Sequence, residues 1–428
     1  MTLKLKLLIG VFVLLITLPS EAQVLNHAKE IVATLCDEKM KGRGYVENGE
    51  HLAAAYIQKQ FSEASLKKFG KSYEQKFTTP VNTFPSSMSL TIDGIALNAG
   101  QDFLIDPASP GINGKFSVMN LTADQLLHDD VWINDVKFSA GKFIAIQSWK
   151  KDAYTKEQIK RIQEVTAFIQ YSSDNESIGL IILSDDKLTW STSNIMNKKP
   201  TFIVKASALN DVVREIEVHA ENKFIKKYET QNVVGFIEGE RQDSLLVFTA
   251  HYDHLGKMGK KTIFPGANDN ASGVSFLLSL MDHYAASKPK YTTVFIAFGG
   301  EEIGLLGSSY FTEHPLFPLA KIKFLINFDM AGTGDDGIQI VNGKIYKKQF
   351  DLITQLNKDM NLMAQVKIRG EACNSDHCLF YKKGVPCFFI YTLGGIQAYH
   401  DIYDRSETLP FTDFEDYFKL MTEFINHL

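Results

Sequence analysis

Apolar and polar positions repeat along the chain with two different periods, which predict helices in some places and strands in others. Two segments near the amino end, 27–39 and 49–69, place apolar residues at near-helical spacing and predict amphipathic helices. From about residue 80 the apolar runs become short and β-like, and one helical pattern at 156–168 lies among them. The short strands predicted in this middle region are 89–92, 142–147, 179–183 and 201–204.

From residue 231 onward, strand-like and helix-like segments alternate. The predicted strands are 233–237, 245–249, 293–298, 324–328 and 385–391. The predicted helices are 271–287, 302–311, 350–360 and 414–427. A chain in which strands alternate with helices is expected to form a layered α/β fold, with helices on both faces of a sheet.

We therefore predict an α/β protein with a mixed, mostly parallel sheet flanked by helices, interrupted in sequence by an inserted β-rich domain. The changes of pattern near residues 80 and 228 give the limits of the insertion. The predicted units are a signal peptide at 1–22, the N-terminal part of the main domain at 23–79, the inserted domain at 80–228 and the remaining main domain at 229–428.

The amino-terminal segment has the pattern of a secretory signal peptide. Lys4 and Lys6 precede an apolar run, and Ser20 and Ala22 are the small residues that a signal peptidase reads. The run is too short for a comfortable membrane span, so cleavage near Gln23 is predicted and an uncleaved anchor is the alternative. Export would place the chain in the periplasm or outside the cell, without stable insertion into a membrane.

Composition and charge exclude several classes of protein. With 45 Lys and Arg against 50 Asp and Glu, the net charge of −5 offers no basic surface for nucleic acid. In the oxidising compartment that export implies, Cys373 and Cys378 are close enough in sequence for a disulfide, with reduced, buried cysteines as the alternative. The absence of Cys-x-x-Cys spacing argues against zinc bound by thiolates.

Five places in the second half of the chain carry a potential metal ligand in a loop, most of them directly after a predicted strand. In open α/β sheets such loops meet beyond the carboxyl ends of the strands, so these side chains can converge. The positions are His251, Asp269, the Glu301-Glu302 pair, Asp329 and His400. Each of them taken alone also fits a helix cap, a solvated charge or a structural histidine.

Together the five positions supply two imidazoles and enough carboxylates for two metal ions. One carboxylate can be shared, each metal then has one further carboxylate, and one carboxylate is left for proton transfer. Zinc accepts nitrogen and oxygen ligands of this kind, and paired metal ions in hydrolases lie roughly 3.5–4 Å apart. The joint pattern therefore predicts a site for two Zn²⁺ ions.

The sequence around these ligands resembles metallopeptidase family 28, the co-catalytic di-zinc aminopeptidases, which includes leucyl aminopeptidases and glutamate carboxypeptidase II. The matching blocks are His251-Tyr252-Asp253, the stretch 266–273, Glu301-Glu302, Phe328-Asp329-Met330 and Tyr399-His400. The stretch 40–54, with its Gly-Arg-Gly segment, is also similar to the family. The resemblance implies the zinc-exopeptidase, phosphorylase/hydrolase-like fold, and the inserted region resembles a protease-associated domain by its position and β-rich texture.

The resemblance also implies a role for each residue of the site. The implied zinc ligands are Asp269 as the bridging carboxylate, His251 and Asp329 on one zinc ion, and Glu302 and His400 on the other. By the same resemblance Glu301 is the general base and Asp253 orients His251. Tyr399 resembles a tyrosine that donates to the oxyanion, with packing against the metal site as its alternative role.

These observations predict a secreted di-zinc metallo-exopeptidase, most simply an aminopeptidase that removes N-terminal residues from peptides. The predicted mechanism uses a hydroxide that bridges the two zinc ions, with Glu301 as the general base. Two alternatives share the fold: a glutaminyl cyclase-like transferase with a single zinc ion, and a binding protein without catalysis. At the level of sequence, carboxypeptidase or dipeptidase activity, the residue preference and the oligomeric state stay open.

Overall fold

The computed structural model describes residues 21–172, 174–209 and 212–428. Residues 1–20, which hold nearly all of the predicted signal peptide, lie outside the described residues. The described residues form ten α-helices, eighteen strands and several shorter helical turns. None of the described helices has both the length and the apolar character needed to cross a membrane.

The predicted elements are present with shifted bounds, by as much as ten residues at the start of the strand Lys223–Ile237, and several further strands and helices were not predicted. The α-helices are α1 Glu21–Cys36, α2 Gly49–Glu63, α3 Ala123–Leu126, α4 Asp129–Lys137, α5 Lys156–Tyr171, α6 Gly273–Ala286, α7 Leu306–Glu313, α8 Lys347–Met360, α9 His377–Lys382 and α10 Phe414–Asn426. The strands are β1 Glu74–Thr83, β2 Ser89–Ile92, β3 Ile95–Leu97, β4 Phe103–Ile105, β5 Ile112–Leu121, β6 Phe143–Ile146, β7 Gly179–Ser184, β8 Thr201–Lys205, β9 Glu215–Ala220, β10 Lys223–Ile237, β11 Arg241–His251, β12 Gly256–Met258, β13 Thr262–Phe264, β14 Tyr291–Phe298, β15 Ile322–Phe328, β16 Ile338–Val341, β17 Val366–Ile368 and β18 Cys387–Thr392.

The first sheet has eight strands in the order β1-β10-β14-β11-β15-β18-β16-β17. Its central strands β14, β11, β15 and β18 are parallel, whereas β1 with β10, β10 with β14 and β16 with β18 are antiparallel. The predicted α/β fold with a mixed sheet is therefore confirmed. Because parallel strands end at the same edge, the loops after β11, β14 and β15 open side by side.

Helices cover both faces of this sheet, because successive residues of its central strands point into two different cores. In β11, Leu246 and Phe248 pack into one core together with α1, α2, α6, α8 and α10. Val247 lies between them in sequence and packs into the opposite core with α7 and α9. This alternation fixes the register of the strand, since a slip of one residue would exchange the two sets of side chains.

The second sheet also has eight strands, in the order β3-β2-β9-β5-β6-β7-β8-β4. Strands β5 to β8 are parallel, and α3, α4 and α5 lie in their connections. Only α5 was predicted; α3 is one turn long and begins at a capping box, in which Thr122 and Gln125 bond to each other's backbone N–H. Met258 and Phe264 of the β12–β13 hairpin are buried in the core of this second sheet.

A two-stranded ribbon joins the two sheets. Strands β1 and β10 pair in antiparallel fashion, from Glu74 opposite Val233 to Thr83 opposite Lys223. The predicted limits of the inserted domain, at residues 80 and 228, both fall within this ribbon. The division of the chain into domains stays a prediction.

The first two predicted helices are too long at their carboxyl ends. The first ends at Cys36, because the side chain of Asp37 caps a separate 3-10 turn that follows. The second ends at Glu63, and Lys67 instead forms an isolated bridge with Phe236 of β10. In both places a tertiary or capping interaction overrides a helical pattern that continues in the sequence.

Candidate metal centre

The candidate site lies where the central strands of the first sheet end. Strand β11 ends at His251, β14 ends at Phe298 and β15 ends at Phe328. His251 is at the edge of the sheet itself, whereas Glu301 and Asp329 follow their strands in loops. Because the three strands are parallel neighbours, these side chains meet beyond one edge of the sheet.

Asp269 is the central residue of the site, with one carboxylate oxygen toward each imidazole. Its Oδ1 lies 3.2 Å from Nε2 of His251, and its Oδ2 lies 3.0 Å from Nε2 of His400. Nε2 of His251 is also 3.5 Å from Oδ1 of Asp329, and Nε2 of His400 is 3.3 Å from Oε2 of Glu302. The structure thus brings all five predicted ligands together, with Asp269 between two pairs.

These separations suit zinc on each side of Asp269. Ligand atoms about 2.0–2.1 Å from a tetrahedral zinc ion are about 3.3 Å from one another. The four nitrogen–oxygen separations run from 3.0 to 3.5 Å, so the two atoms of each pair are already spaced as ligands of one shared zinc ion. Imidazole nitrogen with carboxylate oxygen is also a donor set that zinc accepts.

Both histidines present Nε2 to the site because Nδ1 is engaged elsewhere. Nδ1 of His251 lies 3.2 Å from the backbone oxygen of Asp253, and Nδ1 of His400 lies 3.0 Å from the backbone oxygen of Trp190. A carbonyl oxygen only accepts, so each Nδ1 carries the hydrogen. In the neutral form of each ring the lone pair is therefore on Nε2, where a metal ion can bind.

The charges of the site are strongly coupled. Burial lowers the pKa of His400, but Glu302 and Asp269 raise it to about 11. Burial and the charge of Asp269 raise the pKa of Glu302, while His400 and His254 lower it to about 2. Protonated imidazoles therefore neutralise these carboxylates when protons are the only cations, and metal ions would displace those protons on binding.

Glu301 faces the side of the site that His251 and Asp329 form. Ligand atoms of these three residues lie within 4.8 Å of one another. Burial raises the pKa of Glu301 well above its usual range, and the nearby carboxylates of Asp376 and Glu302 contribute to the rise. A carboxyl group that retains a proton this readily, beside a pair of potential ligands, suits proton transfer.

Asp253 holds the glutamate loop rather than the ring of His251. Its Oδ1 accepts the backbone N–H of Glu301 at 3.1 Å, its Oδ2 accepts that of Glu302 at 3.2 Å, and the hydroxyl of Tyr45 donates to Oδ2 at 2.8 Å. Oδ1 is 3.8 Å from Nδ1 of His251, which is too long for a hydrogen bond. The orienting contact predicted for the Asp253 carboxylate is therefore made by its backbone oxygen.

The loop that carries both glutamates is longer than predicted. The helix predicted at 302–311 begins only at Leu306, because Gly304 and Leu305 have φ angles of 105° and 61°. These left-handed conformations are incompatible with an α-helix. The turn that replaces the first helical residues lets Glu301 and Glu302 point in different directions.

Two buried residues outside the predicted ligand set hold ligands in place. Nδ1 of His254 lies 2.7 Å from Oε1 of Glu302. The carboxylate of Asp404 accepts the backbone N–H of Asn268 at 2.8 Å and that of Asp269 at 3.0 Å. His254 is adjacent to a ligand block in the sequence, but no local pattern connects Asp404 with a loop 135 residues earlier.

A chain of three hydrogen bonds fixes Asp329. Thr249 donates to Oδ1 of Asn327 at 2.6 Å, and Nδ2 of Asn327 donates to the hydroxyl of Ser375 at 2.8 Å. Ser375 then donates to Oδ2 of Asp329 at 3.0 Å. Because Oδ1 of Asp329 faces His251, the chain orients the ligand through its other oxygen.

Arg43 lies beneath the loop that carries Asp269 and is fully buried. Its guanidinium donates to five backbone oxygens, those of Leu35, Tyr252, Pro265, Gly266 and Asp269. The glycine on its C-terminal side allows this insertion, since a Cβ on Gly44 would lie 2.4 Å from Cα of Gly256. This packing is the physical reason for the Gly-Arg-Gly segment noted in the sequence.

A cavity of about 330 Å³ opens onto the ligands. The residues that line it outside the ligand set are Ser191, Glu301, Gly304, Leu305, Met330, Cys373, Asn374, Phe389 and Tyr399. The ring of Tyr399 stacks on that of His400 with centroids 4.0 Å apart, and its role toward an oxyanion stays a prediction. Cys373 forms a disulfide with Cys378, so this bridge is part of the cavity wall.

Comparison with known proteins gives matches along most of the chain. Residues 232–425 match the family model described as Peptidase family M28. The vacuolar membrane protease of Candida glabrata is 26% identical over 243 residues, which are 55% of this chain and 22% of that protein. Aminopeptidase YwaD of Bacillus subtilis is 25% identical over 308 residues, which are 69% of this chain and 62% of that protein. The chain thus spans less than two thirds of the length of either relative.

Solved structures resemble nearly the whole chain. A zinc aminopeptidase from Bacillus subtilis matches with a TM-score of 0.67 at 19% identity, over 96% of both chains. A peptidase M28 precursor from Shewanella amazonensis matches with a TM-score of 0.65 at 14% identity, over 95% of both chains. At these identities the likeness establishes the fold.

Proposed function

Residues 232–425 belong to peptidase family M28, and from this premise we propose that the protein is a zinc-dependent aminopeptidase that removes N-terminal residues from peptides. The family resemblance seen in the sequence is thereby confirmed. The observation that carries the proposed chemistry is the position of Asp269, whose two oxygens face His251 at 3.2 Å and His400 at 3.0 Å. A carboxylate placed in this way can be shared by two metal ions.

In this proposal the site binds two Zn²⁺ ions. His251 and Asp329 would hold one of them, Glu302 and His400 would hold the other, and Asp269 would contact both. Zinc bound there would polarise the scissile carbonyl group and lower the pKa of the attacking water. The support for two ions is that each imidazole pairs with its own terminal carboxylate in addition to the shared one.

Glu301 would act as the general base and then as the general acid. Its carboxylate would take a proton from the attacking water as the oxygen of that water bonds to the carbonyl carbon. It would return this proton to the leaving amine as the carbon–nitrogen bond breaks. Burial raises the pKa of Glu301, and a carboxylate with a raised pKa is a stronger base toward the attacking water.

The cavity lining favours the amino end of a peptide over its carboxyl end. Among the described residues that line the cavity, none is a lysine or arginine that could bind a terminal carboxylate. Leu305, Met330 and Phe389 supply an apolar part of the wall, so we expect an apolar first residue to be preferred.

Export is the further part of the proposal, and it rests on the basic and apolar pattern of residues 1–22. The exported protein would then begin near Gln23. Amino-terminal sequencing of protein recovered from outside the cytoplasm tests this point. Recovery of the chain only from the cytoplasm, with residues 1–22 still attached, would contradict it.

The central test combines metal analysis with one substitution. The purified protein should contain two zinc ions per chain, lose peptidase activity on chelation and regain it with Zn²⁺. Glu301→Gln should retain zinc and lose at least about 10²-fold in kcat, because the general base is removed. Glu313→Gln is the matched control, since Glu313 is an exposed glutamate at the end of α7. An unchanged rate in Glu301→Gln would refute the proposed mechanism.

Profiling of a peptide library by mass spectrometry distinguishes the alternative functions. An aminopeptidase shortens peptides from the amino end, whereas a carboxypeptidase shortens them from the other end. One zinc ion per chain and cyclisation of N-terminal glutamine would instead identify a glutaminyl cyclase-like transferase. Two bound zinc ions without cleavage of any peptide would identify a binding protein.

A further inference from the structure

Residues 187–192 lie in the connection between β7 and β8 of the second sheet, yet they contact the loop that carries His400. The backbone N–H of Trp190 donates to the carbonyl oxygen of His400 at 2.8 Å. Nδ1 of His400 donates in return to the carbonyl oxygen of Trp190 at 3.0 Å. The second sheet therefore bonds to both the backbone and the ring of a potential metal ligand of the first sheet.

His400 requires support of this kind because its backbone is strained. Its φ angle is 52°, in the left-handed region that residues with a Cβ seldom adopt. Such conformations persist where the surroundings hold them in place. Trp190 can provide this hold because its indole N–H donates to the backbone oxygen of Ile105 at 2.7 Å and its ring stacks on Phe264, with centroids 4.8 Å apart.

Lys187 holds the same loop on both sides of His400. Its Nζ donates to the backbone oxygen of Gln397 at 2.6 Å and to that of Tyr399 at 3.1 Å. Nζ is also 2.7 Å from Oδ2 of Asp401, whose side chain is buried. One ammonium group thus connects three residues that flank the histidine.

Thr192 reaches the other ligand on this side of the site. Its hydroxyl donates to the backbone oxygen of Glu302 at 2.6 Å. The ligands on the opposite side are supported differently, because Asp329 receives its hydrogen bond from Ser375, within the part of the chain that forms the first sheet. The contacts from the second sheet are therefore concentrated on His400 and Glu302.

We propose that Lys187, Trp190 and Thr192 are positioning residues for the zinc ion held by His400 and Glu302, so that the second sheet determines metal affinity on that side of the site. The inference rests on the proposed function, since it assumes zinc at these ligands. Loss of a group that orients a ligand typically weakens metal binding by about 10–100-fold. The coupling is reciprocal, so zinc bound by His400 and Glu302 also holds the second sheet against the first.

Zinc titration in competition with a chelating dye tests the inference without reference to activity. Lys187→Met removes the ammonium group and keeps an unbranched side chain. It should bind one of two zinc ions about tenfold more weakly than the parent, with the other unchanged. Lys151→Met is the matched control, because Lys151 forms an exposed ion pair with Asp186 at 2.9 Å in the same sheet unit, and it should bind both ions as the parent does.

Two further variants test a second contact and the recovery of zinc affinity. Thr192→Val should lower the affinity for the same zinc ion, because it removes the hydroxyl group and leaves the shape of the side chain nearly unchanged. Lys187→Arg should restore part of the affinity lost in Lys187→Met, because it returns a positive charge beside Asp401. The side chain of Lys187 is 43% exposed, so its variants are expected to fold, which circular dichroism checks.

The outcomes separate this inference from the proposed function. Affinities for both zinc ions that stay equal to those of the parent in Lys187→Met and Thr192→Val would overturn the inference alone. A parent chain that binds no zinc would overturn the inference and the proposed function together. We expect Lys187→Met and Thr192→Val each to bind one of the two zinc ions more weakly than the parent, and Lys187→Arg to recover affinity.

Discussion

Replacement of Arg43 by lysine would test how the loop that carries Asp269 is held. The guanidinium of Arg43 donates to five backbone oxygens at distances from 2.6 to 3.4 Å, in a fully buried position. An ammonium group has three donors, so at least two of these oxygens lose their partner in Arg43→Lys. The fold would keep the positive charge but lose part of its hydrogen bonding.

The size of the effect follows from the number of lost bonds. A hydrogen bond to a charged group contributes about 1.5–3 kcal/mol, so two losses amount to about 3–6 kcal/mol. The contact with Asp269, at 3.4 Å, is the longest of the five, which favours the lower end of this range. A loss of about 3 kcal/mol corresponds to a decrease in Tm of about 6–12 °C, at about 2–4 °C per kcal/mol in domains of this size.

Thermal unfolding followed by circular dichroism, with and without added zinc, measures the effect. Arg405→Lys serves as the control, because Arg405 is exposed and donates to the backbone oxygen of Ile402 at 2.7 Å. Its unfolding free energy should change by less than about 0.5 kcal/mol. A Tm for Arg43→Lys within about 2 °C of the parent would refute the argument that the five bonds stabilise this loop.

Three further predictions concern the hydrogen-bond chain to Asp329, the disulfide of the cavity wall and Glu50, a fully buried residue of α2 that accepts hydrogen bonds from Thr230 and Tyr252. Burial raises the pKa of Glu50 from 4.5 to about 7, so the folded chain keeps a proton that the unfolded chain releases, and the free energy of unfolding falls as pH rises through this window. Glu50→Gln cannot release this proton, so its free energy of unfolding in urea should rise by about 3 kcal/mol relative to that of the parent between pH 4.5 and 8. A difference between the two proteins that stays constant with pH would contradict this. Ser375→Ala should weaken zinc binding about tenfold by freeing Asp329, and unaltered affinity in chelator competition would count against the hydrogen-bond chain. Cys373→Ser/Cys378→Ser should cost about 2 kcal/mol and abolish any effect of reductant on Tm; a double variant as stable as the oxidised parent would argue against the bridge as a stabilising element.

Much of the fold was predictable because its elements repeat with a clear period. The central strands of the first sheet and the helices between them are long apolar or amphipathic segments, and the parallel arrangement follows from their alternation. The order of His251, Asp269, Glu301, Asp329 and His400 was equally visible, since all of them except His400 lie close to a strand end or a helix start. Sequence therefore indicated which side chains could meet.

The contacts that hold these ligands could not be predicted in the same way. Asp404, Ser375 and Trp190 act through hydrogen bonds to residues far away in the sequence, and no local pattern records such pairs. The prediction of a helix at 302–311 was wrong for its first four residues for a related reason. A helical pattern was present, but the turn at Leu305 frees both glutamates for the site.

The ribbon of β1 and β10 has a consequence for how this architecture could be assembled or dismantled. Since Thr83 lies opposite Lys223, a two-residue reverse turn could replace residues 84–222 and leave an ordinary hairpin at the margin of the first sheet. The path of the chain would therefore allow the second sheet to be removed without interrupting the first sheet. Its removal would nevertheless affect the metal centre. The ring of His400 would lose its hydrogen bond to the carbonyl oxygen of Trp190, and the loop around His400 would lose its hydrogen bonds from Lys187. A shortened chain should fold as a smaller α/β unit whose metal centre is complete in composition but unsupported on one side.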